Sequence, residues 1–208
     1  MSVTSSGGNK RGRRTDAGYD DRQLKRTEWA NLGRTHQGRI PCRIVSEVGA
    51  TATWTGSGKG EQLWFLGTLA TIKVPGEASN GRFALIEFLF PRHASPPLHT
   101  HPQDESYIVQ EGLLTVQAGE QRFELAPGAA AVVPMGVAHT FRVDSNTARV
   151  LVLSTPAGLE QLVRDGSVPA LRPTLPTSET PRPSPEQLEA IFRAHGQVNL
   201  GSPLSPGD

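Results

Sequence analysis

A chain of 208 residues with 36% apolar residues, 22 glycines and 17 prolines fits one domain of ordinary size plus extra segments. That composition favours an all-β core over a large helical one. The formal net charge of +1 conceals a basic N-terminus and a mildly acidic remainder. A single cysteine excludes an intramolecular disulfide, and no apolar run is long enough to span a bilayer.

Residues 1–60 read as a basic, disordered arm. The first 40 carry nine Lys/Arg against four Asp/Glu. Asp16, Asp20, Asp21 and Glu28 interrupt the basic residues, which favours a solvated tail over a nucleic-acid-binding one. Asp20 to Leu32 has the makings of one short helix capped by Gly33, with a ragged stripe of Leu24, Trp29 and Leu32. His36 follows in the arm. Cys42 has no activating partner nearby and reads as a small apolar or surface thiol. No apolar signal-peptide core stands behind the basic residues, so a cytoplasmic location is expected. Residues 51–60 (TATWTGSGKG) read as a flexible connection.

From 61 to 156 the pattern is one of short strands. Leu63 to Val74 is rich in β-formers, and Arg82 to Phe90 is nearly continuous apolar, as for a strand buried on both faces. Then come 98–101, 105–110, 113–118 and 121–125, with Gly119-Glu120 as a hairpin turn. Residues 130–134, 139–143 and 149–154 complete about eight or nine strands, a number that suggests a sandwich or barrel.

The remainder, 157–208, reads as a C-terminal segment that packs on this barrel. A short helix over 159–164 is stopped by Gly166. Residues 168–185 hold six prolines and read as an extended connection. Ser184, Pro185 and Gln187 form a capping box with Pro at the first helical position. The apolar face of Leu188, Ile191 and Phe192 follows, with His195 in the last turn.

The chemistry concentrates in one region. His99 and His101 stand at i and i+2, so on a strand both imidazoles point to one face. Glu105 opens the next strand after a short turn, and His139 comes from a third strand after the turn at 134–136. Three imidazoles and one carboxylate suit a divalent transition metal with positions left for small molecules. Without a metal, four inward polar groups would leave donors and acceptors unpaired. His93, at a strand end, reads as a surface or pocket-rim residue. Trp64 and Phe65 read as core. Tyr107 shares a strand face with Glu105 and is a candidate substrate-pocket residue, with core packing as the competing role.

His99-x-His101-x3-Glu105-x6-Gly112 resembles the first cupin motif, and Gly128-x5-Pro134-x-Gly136-x2-His139 resembles the second. Val143 stands where the second motif often ends in Asn, which removes no ligand. The resemblance covers about residues 62–155 and is closest to single-domain bacterial cupins of the quercetin 2,3-dioxygenase-like group. It implies a double-stranded β-helix, a jelly-roll barrel with short C-terminal helices. It also implies one divalent metal per chain (Fe, Mn, Ni, Cu or Zn) held by His99, His101, Glu105 and His139, with Glu105 doubling as the catalytic proton acceptor. The implied partners are a small-molecule substrate and a second copy in a homodimer, while the composition and charge pattern argue against a membrane and against nucleic acid.

Two classes of function follow. One is a metal-dependent dioxygenase that cleaves an enol- or flavonol-type substrate with O2. The other is a small-molecule-binding or sensing barrel without turnover, and an isomerase or decarboxylase is a further variant, since one fold hosts many functions. No helix-turn-helix pattern accompanies the barrel, and an intact four-ligand set argues against a storage role.

Overall fold

The computed structural model describes Met1 and residues 52–207. The expectations for the helix at 20–32, for His36 and for Cys42 lie outside the described residues. Thr51–Asp208 form one compact unit.

The apolar run 63–74 folds in two, as β1 (Glu61–Phe65) and β2 (Thr68–Val74). The hairpin turns at Leu66-Gly67, both with positive φ (49° and 90°), the two-residue connection whose twist suits antiparallel strands. Leucine is an unusual residue for that conformation, so the sequence did not announce the turn. Upstream, residues 55–59 are tied to β2 rather than left as a free connection. Thr55 Oγ1 donates to the Lys73 carbonyl (2.8 Å), and Lys73 Nζ donates to the Gly56 and Lys59 carbonyls (2.9 and 2.8 Å).

β3 (Ala84–Pro91) alternates between buried and half-buried residues. It is therefore one-sided, not buried on both faces as the apolar run suggested. Its outer face carries Glu87, which pairs with Arg149 at 2.9 Å. The following strands are β4 (Leu98–Thr100), β5 (Asp104–Glu111), β6 (Leu114–Ala118), β7 (Gln121–Leu125), β8 (Ala130–Val133), β9 (His139–Val143) and β10 (Thr147–Thr155).

After the barrel strands come α1 (Leu159–Asp165), β11 (Ser167–Pro169), α2 (Pro185–Ala194) and β12 (Val198–Gly201). The capping box of α2 forms as its sequence predicts, with Ser184 Oγ accepting from Gln187 N. Phe192 is buried beside the half-buried Leu188 and Ile191. The two strands absent from the sequence reading, β11 and β12, are three and four residues long and lie at sheet edges. Backbone pairing holds them, so no apolar alternation betrays them.

Two antiparallel sheets result. One is ordered β11-β1-β2-β3-β10-β5-β8 and the other β12-β4-β9-β6-β7. The core lies between them. Phe88 and Phe90 on β3 stack at 5.1 Å, Phe90 meets Phe141 of the opposite sheet edge-on at 5.0 Å, and Tyr107 meets Phe141 at 5.8 Å. Rows of Val, Ile and Leu complete it, each fully buried side chain stabilising the fold by about 1.5–3 kcal/mol. Of the sandwich or barrel that the strand pattern left open, this is the all-β barrel with short C-terminal helices that the motif resemblance implied.

Gly112 turns the chain from β5 into β6 at φ 87°. A Cβ there would overlap the Thr147 carbonyl and come within 2.6 Å of Ser145 Oγ. Gly112→Ala therefore combines left-handed strain with overpacking. We expect it to destabilise the barrel by about 2–4 kcal/mol, read as a lower urea midpoint. An unchanged midpoint would mean that the β5–β6 corner yields freely.

Candidate metal centre

The site joins the two sheets. Glu105 faces inward from β5, flanked across the ladder by Val133 and Ser154. His99 and His139 are directly paired between β4 and β9, so their rings project from the same face of the other sheet. His101 follows β4 by one residue. All four are buried, and their ligand atoms lie within 4.8 Å of one another. The ring centroids stand 4.4–5.5 Å apart.

Local sequence explains how each side chain is delivered. Pro134 and Gly136 (φ 76°) shape the loop before His139. That loop is latched to the other ligand loop twice. Asp104 Oδ1 accepts from Met135 N (2.8 Å), and the His101 carbonyl accepts from Gly136 N (3.2 Å).

Backbone carbonyls set two of the tautomers. His99 Nδ1 lies 2.7 Å from the Pro97 carbonyl, and His139 Nδ1 lies 2.9 Å from the Val137 carbonyl. A carbonyl can only accept, so each Nδ1 carries a proton and Nε2 is the atom left for the site. His101 is different. Its Nε2 lies 3.0 Å from Glu105 Oε2, and its buried Nδ1 has no partner.

Three groups converge on one carboxylate oxygen. His101 Nε2 and His139 Nε2 each stand 3.0 Å from Glu105 Oε2, and Tyr107 Oη donates to it at 2.9 Å. Burial alone would raise the carboxyl pKa, but the two histidines outweigh it and hold Glu105 well below the usual carboxylate range. Burial would lower the pKa of His139, but the bond to Glu105 and its charge raise it instead. Burial, with the neighbouring His139, pushes His99 down to about 4. Burial and then Glu105 raise the Tyr107 phenol well above its ordinary value. Metal-free, the site is thus a carboxylate held against His139, whose raised pKa favours a proton between them. A divalent cation is the natural replacement for that proton.

The spacing fits this. Two ligands at right angles on bonds of about 2.1 Å stand about 3.0 Å apart, and two on opposite sides of an ion about 4.2 Å apart. The two 3.0 Å contacts to Glu105 Oε2 match the first value, and the 4.8 Å outer limit lies about 0.6 Å beyond the second, a gap that a small inward shift of the side chains would close. The cluster could hold a metal ion.

The four expected ligands are brought together. Tyr107 is 1% exposed and sits among the core aromatics with its hydroxyl on Glu105. His93 is exposed at φ 62° and stands apart. His195 closes α2 and pairs with Asp165 at 2.8 Å. Trp64 donates its Nε1–H to the Thr174 carbonyl (2.8 Å) in the proline-rich segment.

Sequence reasoning missed Asp104 and Ser154. Ser154 ends the inward row Ala148, Val150, Val152, and its buried hydroxyl has no partner. A lone polar residue at an inward position of an apolar row was the available signal.

Fold and site together define a two-sheet β-barrel with a buried His3Glu cluster at the meeting of its sheets. A family profile described as "Cupin domain" matches residues 86–155. Protein SCO3923 of Streptomyces coelicolor is 34% identical over 84 residues, which is 35% of this chain and 80% of that protein. The chain belongs to the cupin superfamily. The quercetin 2,3-dioxygenase of Bacillus subtilis is 28% identical over 96 residues, 46% of this chain but only 28% of that enzyme's length. Among solved structures, KdgF from a Halomonas species is similar with a TM-score of 0.48 and 19% identity, over 53% of this chain and 99% of that one.

Proposed function

We propose that the chain is a metal-dependent cupin enzyme, most simply an oxidoreductase that cleaves an enol- or flavonol-type small molecule with O2. The observation that carries this is the convergence of His99, His101, Glu105 and His139 on one buried point, with two of the ring tautomers preset by carbonyls. The local similarity to a quercetin 2,3-dioxygenase supports the reaction class.

A divalent metal, when bound, would act as a Lewis acid that lowers the pKa of a substrate hydroxyl and orients it. Within the protein, His99, His101 and His139 serve as ligands. Glu105 serves as ligand and as the acceptor of the substrate's proton, since it stands beside the point where that hydroxyl must lie. Tyr107 holds Glu105 Oε2 in place from the core side and bounds the substrate space.

The accompanying organisation is a basic arm over 1–60, the barrel over 61–156 and a C-terminal segment over 157–208, in a cytoplasmic homodimer that binds no nucleic acid. Among the described residues no helix is long and apolar enough to cross a membrane.

The test is elemental analysis of anaerobically purified protein across a sizing column, then oxygen uptake with a flavonol and with small diketones. One metal per chain in a dimer-sized peak, with substrate-dependent uptake, is expected. Stoichiometric metal without uptake on any of these substrates would favour the binding or sensing role. Absence of any bound metal after loading would remove the enzyme reading altogether.

A further inference from the structure

The end of the chain runs antiparallel along the segment that carries two of the four ligands. β4 is three residues long, and its pairing with β9 consists of one position, His99 opposite His139. On its other side β12 pairs with it at Val198–Thr100, Asn199–His99 and Gly201–Leu98. The contact continues past the strand. Leu98 N donates to the Ser202 carbonyl (3.3 Å), Leu204 N donates to Ser95 Oγ (3.0 Å), and Arg142 Nη1 donates to the Ser205 carbonyl (2.5 Å). Leu204 itself is buried.

At the other end Gly196 (φ 74°) lies against Pro102, where a Cβ would come within 3.1 Å of the proline ring. His195 and Gln197 share a small cavity with His101, whose Nδ1 has no partner. His195 is in turn fixed by Asp165. None of residues 195–205 falls within the stretch that matches the family profile, 86–155.

A strand with a single paired position on one side has little to fix the direction of its side chains. We propose that residues 195–205 form a strap that positions His99 and His101 for the metal. Its β12 section holds the backbone under His99, and its first turn backs His101. The strap acts through the ligands and touches no reacting atom. This rests on the metal reading above.

The test compares Zn(II) titration calorimetry of the full chain with that of Asn199→Pro, Leu204→Ser, Leu204→Met and Leu171→Asn. Amide exchange over residues 98–100 is followed in each, with and without Zn(II). Proline cannot take its place in a paired strand without loss of an N–H and a fixed φ near −65°. We expect Asn199→Pro to raise the Zn(II) Kd about tenfold or more and to speed exchange across β4, while the barrel still melts cooperatively. Leu204→Ser frees only the buried end and should show a smaller rise, Leu204→Met should restore the parent value, and Leu171→Asn, at an exposed position outside the strap, should change nothing.

Faster exchange across β4 with an unchanged Kd would overturn the proposal. If Asn199→Pro fails to fold, Leu204→Ser decides by the same comparison. A parent chain that binds no Zn(II) would refute the metal reading. In that event unchanged β4 exchange in the metal-free variants would refute the strap as well.

Discussion

Glu105→Gln is expected to weaken metal binding by about 100-fold or more, beyond the 10–100-fold typical of losing a supporting partner, and to lower turnover by about 10²–10⁴. An amide is a neutral and poorer ligand, and it cannot take the substrate's proton. The local loss goes further, because three groups converge on Glu105 Oε2. A glutamine oxygen can accept from them only without charge. If the amide turns, its NH2 group meets the donors of His101, His139 or Tyr107. A buried donor left unsatisfied costs about 1–3 kcal/mol, so a lower melting point accompanies the loss of metal while the aromatic core keeps the barrel folded. Calorimetric titration, thermal scans and oxygen uptake separate the two roles. Full activity with weakened binding would eliminate Glu105 as proton acceptor. The chemistry would then rest on the metal's polarisation of the substrate alone.

The fold was legible wherever side chains announce it. The inward rows of β5 and β10, the glycines at the barrel corners and the capping box of α2 are all local signals, and the structure follows them. The four candidate ligands were legible for a related reason. Two histidines at i and i+2, a carboxylate at the start of the next strand and a histidine after a Pro-x-Gly turn carry that spacing in the sequence, although only His99 lies on β4 itself and His101 follows its end.

What stayed hidden depends on contacts across the chain. Leu66-Gly67 adopts a turn that leucine rarely favours, so the run from Leu63 read as unbroken. β12 has four exposed residues and no pattern, and only its partner β4 gives it a place. The latch by which Met135 N donates to Asp104 joins a loop to the first residue of β5, 31 positions away. The carbonyls of Pro97 and Val137 carry no side-chain signature at all.

His99→Ala combined with His139→Ala is expected to abolish stoichiometric metal binding and, with it, the metal's contribution to stability. The two rings come from adjacent strands and face the site through Nε2, so their removal strips one whole side of the cluster and leaves His101 and Glu105 as a two-ligand remnant. In the parent protein a metal at a hundredfold excess over its Kd stabilises the native state by about 2.7 kcal/mol. For a chain of this size that is roughly 5–10 °C in melting temperature. A chelator should lower the parent's melting point by that amount and leave a folded, metal-free barrel, because the rows around Phe88, Phe141 and Val150 supply a core that needs no ion. The double variant should melt at or below the stripped parent and should ignore the chelator. It melts lower where the loss of His139 leaves the buried Glu105 carboxylate with one donor fewer, a cost the stripped parent does not bear. The comparison of variant with stripped parent therefore reads that hydrogen bond separately from the metal. A double variant that retains one metal per chain by elemental analysis would place the ion on other ligands. A parent whose melting point is indifferent to chelator would show that the cluster is satisfied by its own protons.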